Sequence, residues 1–208
     1  AVKTATMQQL LTGQQRLPGF DGAWETRRLG EVATIIPGQS PSSSTYNSEG
    51  RGTPLINGPT EFTQLYPIKT QWTTSPSKLS EPGDLLLCVR GSSTGRTNVA
   101  DDVYCLGRGV AAIRAENDIN DRYMAYKVRD GIQSLLKLSK GSTFPSVDRS
   151  DIQSLDFSLP PQAEQRAIAT TLSDMDAEIE ALEARRNKTQ NIKQGMMQEL
   201  LTGRTRLV

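Results

Sequence analysis

The segment Arg90-Gly-Ser-Ser-Thr-Gly-Arg96 brings two guanidiniums, three hydroxyls and two glycines into seven consecutive residues. Arginine can donate a bidentate pair of hydrogen bonds to guanine, and hydroxyls and backbone amides suit phosphate oxygens. Glycine lets the backbone approach a partner closely. These residues suit recognition of a nucleic acid rather than bond making, with Arg90, Ser92, Ser93, Thr94 and Arg96 as candidate contacts. Pro37-Gly-Gln-Ser-Pro-Ser-Ser-Ser44 is a second polar loop, in which Gln39 suits adenine and Ser40, Ser42 and Ser43 suit phosphate. Asn57, before Gly58, is a further adenine-reading candidate, and Lys140, Ser142 and Thr143 supply a cation and two hydroxyls beyond a predicted helix. Each segment also reads as an ordinary solvated turn, so residue type nominates these positions without deciding among them.

Other chemistry is poorly provided for. The 208 residues contain no histidine, which removes the commonest general base and the commonest neutral metal ligand together. Cys88 and Cys105 are too few for a disulfide framework, lack metal-site spacing and suit a reducing cytoplasm as small buried hydrophobes. No phosphate-binding glycine loop stands between a strand and a helix. Pro160-Pro161 is followed by Gln162, not by the aromatic residue of an adenine-methyltransferase motif. Carboxylates are scattered, no apolar run is long enough to span a bilayer, and the expectation is a protein without catalysis of its own.

The elements that must position the candidate residues fall into two textures. Residues 21–160 are punctuated by Gly, Pro and Ser, with short apolar runs at 31–36, 54–57, 84–89, 103–106, 110–114 and 155–159 that read as strands. One amphipathic helix is expected over 121–138, where Met124, Val128, Ile132 and Leu135 recur at helical spacing. This region holds sixteen acids and fifteen bases, so any nucleic-acid contact must come from a local cluster, not from a broadly basic face. The expected class is α+β: a globular mixed domain over 21–160, a preceding helix end and linker over 1–20, and one long helix over 161–208.

That helix opens at Pro161 and meets no further proline; Gly195 weakens it without ending it. Ile168, Leu172, Met175, Ile179 and Leu182 alternate in steps of four and three, Arg186 and Thr189 interrupt, and Ile192, Met196 and Leu200 resume: a coiled-coil seam that calls for a partner helix. Residues 161–183 carry net charge −5 and residues 184–208 net +5, which complements the helix dipole and favours an antiparallel copy over a parallel one. The chain also repeats itself. Met7–Leu17 returns as Met197–Leu207 with eight of eleven positions identical, and Lys3 matches Lys193. The chain is therefore expected to open on the last turns of one unit and run through a second, as a piece of a longer tandem protein or as a natural half.

Gly83-Asp-Leu-Leu-Leu, Arg90–Arg96, Gly141-Ser-Thr-Phe-Pro, Leu159-Pro-Pro-Gln-Ala-Glu-Gln-Arg-Ala-Ile168 and Gln198-Glu-Leu-Leu-Thr-Gly203, in this order, resemble the specificity subunits of type I restriction-modification enzymes. The resemblance implies one target-recognition domain that reads half of a bipartite site in double-stranded DNA. It also implies a conserved helix that pairs antiparallel and docks methyltransferase subunits. Methylation and cleavage would fall to methyltransferase and restriction/translocase partners that use S-adenosylmethionine, ATP and Mg²⁺. The family's subunits usually hold two such domains and one is present here, so a two-fold homodimer through the long helix is the expected assembly. The competing reading is an assembly or adaptor protein: a coiled-coil dimeriser whose globular head binds protein.

Overall fold

A computed structural model describes residues 2–64, 66–138 and 146–202. The chain opens with α1 (Val2–Thr12) and continues through β1 (Glu25–Arg28), α2 (Leu29–Val32), β2 (Ala33–Pro37), a 3₁₀ turn (Ser43–Thr45), β3 (Tyr46–Asn47), β4 (Thr53–Ile56) and β5 (Trp72–Thr73). It proceeds through β6 (Leu85–Cys88), β7 (Thr97–Val99), β8 (Cys105–Leu106), β9 (Val110–Ala115) and α3 (Asp121–Leu138). It closes with α4 (Arg149–Gln153), β10 (Asp156–Leu159) and the 40-residue α5 (Gln162–Leu201). The α+β class and the long terminal helix are as the sequence indicates.

An antiparallel sheet in the order β2-β9-β6-β7 forms the partition of the domain. Its central strand β6 is buried along its whole length, and the period-2 alternation of a strand sorts its side chains to two faces. Leu85 and Leu87 join Ile35, Ile113 and the apolar faces of α3 and α5 in one core. Leu86 and Cys88 join Val110, Ala112, Ile56 and Tyr104 in a second. That second core is covered by a small sheet, β3-β5-β4-β8, in which β4 and β8 run parallel. At one end of the interior strands Arg114 grips the buried Asp84 through Nε and Nη2, both at 2.9 Å, so the buried carboxylate is paired.

Most expected strands occur within a residue or two of their positions. Residues 31 and 32 are the exception: they complete the helical turn α2, because the Glu31 carboxylate caps the Arg28 amide while Leu29 and Val32 both turn into the core. α3 spans 121–138 as its periodicity indicates, with Asn120 accepting from the Tyr123 amide at its start. β1 carries no apolar alternation and is held by antiparallel pairing with β10.

α5 differs from expectation in its first turns. Ile168 and Leu172, read as seam residues awaiting a partner chain, are 1% and 0% exposed and belong to the domain's own core. Their helix partner lies within the chain: α1 packs antiparallel on α5, with Leu10 and Leu11 in the same core and Met7 and Met175 against it. Lys3 pairs with Asp176 near one end of this contact and Arg16 with Glu164 at the other. From Ile179 onward the apolar stripe is exposed at Ile179, Leu182, Ile192, Met196 and Leu200. At about 1.5 Å per residue the helix is about 60 Å long, and its second half projects from the domain.

The Pro-Pro-Gln-Ala-Glu-Gln run is the joint between domain and helix. The Glu164 side chain, fully buried, accepts from Arg16 Nε at 2.5 Å, Arg16 Nη2 at 2.7 Å and Trp24 Nε1 at 3.0 Å. Gln165 accepts from the Asn120 amide at 2.9 Å and donates to the Pro160 carbonyl at 3.0 Å. The chain before β1, the start of α3 and the start of α5 are thereby tied to two adjacent side chains.

Candidate nucleic-acid interface

Turns at one end of the main sheet gather around the β8–β9 connection. The Gly38 amide donates to the Val110 carbonyl and the Gln39 amide to the Leu106 carbonyl, each at 2.9 Å, while the Arg108 amide donates to Ser40 Oγ at 3.1 Å. Glycine is required at Gly38, since a Cβ there would lie 2.2 Å from the Gly107 carbonyl oxygen and 2.4 Å from that of Val110. The Gly107 amide in turn donates to the Ile56 carbonyl at 2.8 Å, and a Cβ on Gly107 would meet Asn57 Oδ1 at 2.3 Å. Gln39, Ser40 and Asn57 are thereby fixed around Gly107-Arg108-Gly109.

The end of β6 joins the same group. The Val89 amide donates to the Gly109 carbonyl at 2.9 Å, and the Val147 amide to the Val89 carbonyl at 3.0 Å. Arg90 bridges Ser146 through the backbone. These turns enclose a groove of about 500 Å³ lined by Pro37, Gly38, Arg90, Arg108, Asp148 and Arg149, among others. The three arginines are exposed, and among the described residues none of them forms an ion pair. Asp148 is the one carboxylate of the lining, and it is engaged as the cap of α4, accepting from Ser150 Oγ at 2.6 Å and the Asp151 amide at 2.9 Å. These bonds, led by that from Ser150, lower its pKa. A concave strip with three guanidiniums against one carboxylate, with flanking amide and hydroxyl groups, suits a phosphate-rich, hydrogen-bonding partner.

The candidate residues divide accordingly. Gln39, Ser40, Asn57 and Arg90 come together, although the Asn57 amide already donates to Gln71 Oε1 at 3.0 Å. Ser92, Ser93, Thr94 and Arg96 lie on the turn after Arg90, where Thr94 Oγ1 donates to the Gly91 carbonyl at 2.7 Å. That turn bends back at Gly95 toward Leu136 and Ile132 of α3, so Arg96 does not line the groove. Ser42 and Ser43 sit one step further along their loop, at the 3₁₀ turn, with Ser42 Oγ 2.9 Å from Ser44 Oγ. Lys140, Ser142 and Thr143 lie outside the described residues. Sequence reading missed Arg108 and Arg149. An arginine between two glycines joining two expected strands was a usable signal for the first; Arg149 carries none, because only the fold brings α4 beside β6.

Burial pushes the Cys88 thiol up to about 11. Among the described residues no three His, Cys, Asp or Glu side chains stand together as metal ligands, and no helix is long and apolar enough to cross a membrane.

Residues 22–192 match the family model of the type I restriction modification DNA specificity domain. The chain belongs to this family. A putative type I restriction enzyme MjaX specificity subunit of Methanocaldococcus jannaschii is 35% identical over 187 residues, which cover 88% of this chain and 44% of that relative. The HsdS subunit of Thermoanaerobacter tengcongensis superposes with a TM-score of 0.73 at 32% identity, covering 95% of this chain and 51% of the other. A chain from a structural study of type I R-M complex assembly and conformational transition gives a TM-score of 0.75 at 34% identity, with 95% and 52% covered. This specificity-domain chain thus spans about half the length of the relatives it matches.

Proposed function

We propose that this chain is the DNA-reading module of a type I restriction-modification complex, contacting one half of a bipartite site through the arginine-lined groove. The observation that carries the reading is the lining of one groove by Arg90, Arg108 and Arg149 at one end of the main sheet, with Gln39, Ser40 and Asn57 held beside it around the turn that carries Arg108, in a chain of the specificity-domain family. The guanidiniums hold phosphate or guanine, and the amide side chains read base edges. Catalysis belongs to partners: methyltransferase subunits that use S-adenosylmethionine, and a restriction/translocase subunit that uses ATP and Mg²⁺. The exposed second half of α5 is the element that meets protein, docking methyltransferase subunits and pairing antiparallel with a second copy of this helix. The setting is the cytoplasm.

The test is binding of the purified chain, with its methyltransferase subunit present, to a pool of random duplexes, followed by sequencing of the bound fraction. The reading expects enrichment of one short fixed half-site. Recovery of an unenriched pool, while the chain still binds methyltransferase, would instead establish it as an assembly protein.

A further inference from the structure

We propose that Gln71 is a positioning residue for base reading: it holds the Asn57 carboxamide in the orientation that pairs with the major-groove edge of adenine. The proposal rests on the DNA-reading function of the groove and adds a residue that lies outside the groove lining. Gln71 Oε1 accepts from Asn57 Nδ2 at 3.0 Å. A primary amide has two N–H donors, so this bond leaves Asn57 one N–H and its carbonyl oxygen. Among the described residues no donor bonds that oxygen, and Asn57 is exposed. One donor beside one acceptor is what adenine requires, with N7 taking the N–H and the N6 amino group bonding the oxygen. An unheld carboxamide turns about a terminal torsion whose wells are broad, and the bond to Gln71 removes that freedom.

Gln71 can hold its neighbour because it is itself held. Its backbone carbonyl accepts from the Leu55 amide at 2.8 Å, just before β5 pairs with β4. The chain is fixed on either side of Asn57 as well. The Ile56 carbonyl accepts from the Gly107 amide at 2.8 Å, and the Gly58 amide donates to Glu61 Oε2 at 3.2 Å. The turn that carries Arg108 is moulded on the same residue. A Cβ on Gly107 would stand 2.3 Å from Asn57 Oδ1, and one on Gly109 would stand 2.7 Å from the Asn57 backbone carbonyl oxygen. Glycine on both sides of Arg108 is thus the condition for seating Asn57 there. The amide pair and Arg108 form one unit, ordered before DNA arrives, and prior order lowers the cost of binding. The Glu61 carboxylate beside Gly58 disfavours phosphate at this place, so the neutral pair faces base edges and not the backbone.

The test is selection from random duplexes by the full chain with its methyltransferase subunit, comparing wild type with Asn57→Ala, Gln71→Leu and Gln71→Glu. Leucine keeps the bulk of the side chain and removes the acceptor; glutamate keeps the acceptor and removes the donors. Asn57→Ala is expected to relax preference for one adenine of the half-site on the order of tenfold. Gln71→Leu is expected to relax the same adenine by roughly threefold or more. Gln71→Glu keeps the wild-type preference at that base, and Asn57→Ala combined with Gln71→Leu relaxes it no further than Asn57→Ala alone. The salt dependence of binding is the same for Gln71→Leu as for wild type, since no phosphate contact is lost. A merely structural role would lower stability and binding to every sequence alike and would not be rescued by glutamate. Four results each overturn the proposal and leave DNA reading standing: a motif unchanged by Asn57→Ala, full preference kept by Gln71→Leu, relaxation by Gln71→Leu at a different base, or loss of preference in Gln71→Glu. Enrichment of no half-site by the wild-type chain overturns both.

Discussion

Replacing Arg90 and Arg108 together with alanine removes two of the three guanidiniums that line the groove and leaves Arg149 in place. Both side chains are exposed and form no ion pair among the described residues, so the fold is expected to stand without them. The expected cost lies in binding. Each phosphate neutralised adds about 0.9 to the slope of log affinity against log salt on duplex DNA, so two lost contacts flatten the slope by about 1.8. Between about 50 and about 200 mM salt, the wild-type affinity should therefore fall about 12-fold further than that of the variant. Fluorescence anisotropy with a labelled duplex, at three salt concentrations and with the methyltransferase subunit present, measures this directly. Arg27→Ala is the control, since Arg27 is engaged by Glu25 on the exposed strand β1 and does not line the groove. An unchanged slope in the double variant, or an equal flattening in the control, refutes the assignment of the groove to the phosphate backbone.

Leu11→Ala, at a fully buried position of α1, should lower unfolding stability by about 2–5 kcal/mol in a denaturant titration, because the lost side chain leaves a cavity in the core it shares with α5. Gly38→Ala drives a Cβ against two carbonyl oxygens and should cost about 1–3 kcal/mol. It should also weaken DNA binding, because Gln39 and Ser40 move with it, and calorimetry with anisotropy on one preparation reads both. Asp148 holds its folded pKa below the ordinary carboxylate range through its cap bonds. Its contribution is therefore present above the unfolded value and lost as pH falls through the folded one, below about pH 4. Asp148→Asn should be less stable than wild type at neutral pH, and the difference should shrink in thermal melts as the acid range is entered.

The long helix and α3 were legible by their period and β2, β6 and β9 by short apolar runs between turn residues, whereas β7 of the same sheet, Thr97–Val99, carries no such run and was not expected. β1 was not, since Glu25–Arg28 has no apolar face and pairs only because β10 returns beside it. The apolar stripe of α5 was assigned to one kind of partner. Periodicity cannot tell that Ile168 and Leu172 meet α1 of their own chain, although the repeat of Lys3–Thr12 at 193–202 held that information. The groove was half legible. Arg90 in its lining and Gln39, Ser40 and Asn57 beside it stand out by residue type in turns, whereas Arg149 enters through a tertiary contact between segments far apart in sequence. Arg96 shows the converse: the right residue type in the right turn, carried away from the groove because Gly95 packs on α3.

The central claim, that this domain selects the DNA sequence on which its partners act, is tested most directly by sequencing methylated bases in DNA from cells that express the chain with its methyltransferase subunit. The expected result is a single bipartite motif that shifts or relaxes at defined bases when Gln39 or Arg108 is replaced and the methyltransferase is left untouched. Methylation at a motif that is indifferent to these residues, and that persists when the chain is withheld, would contradict it.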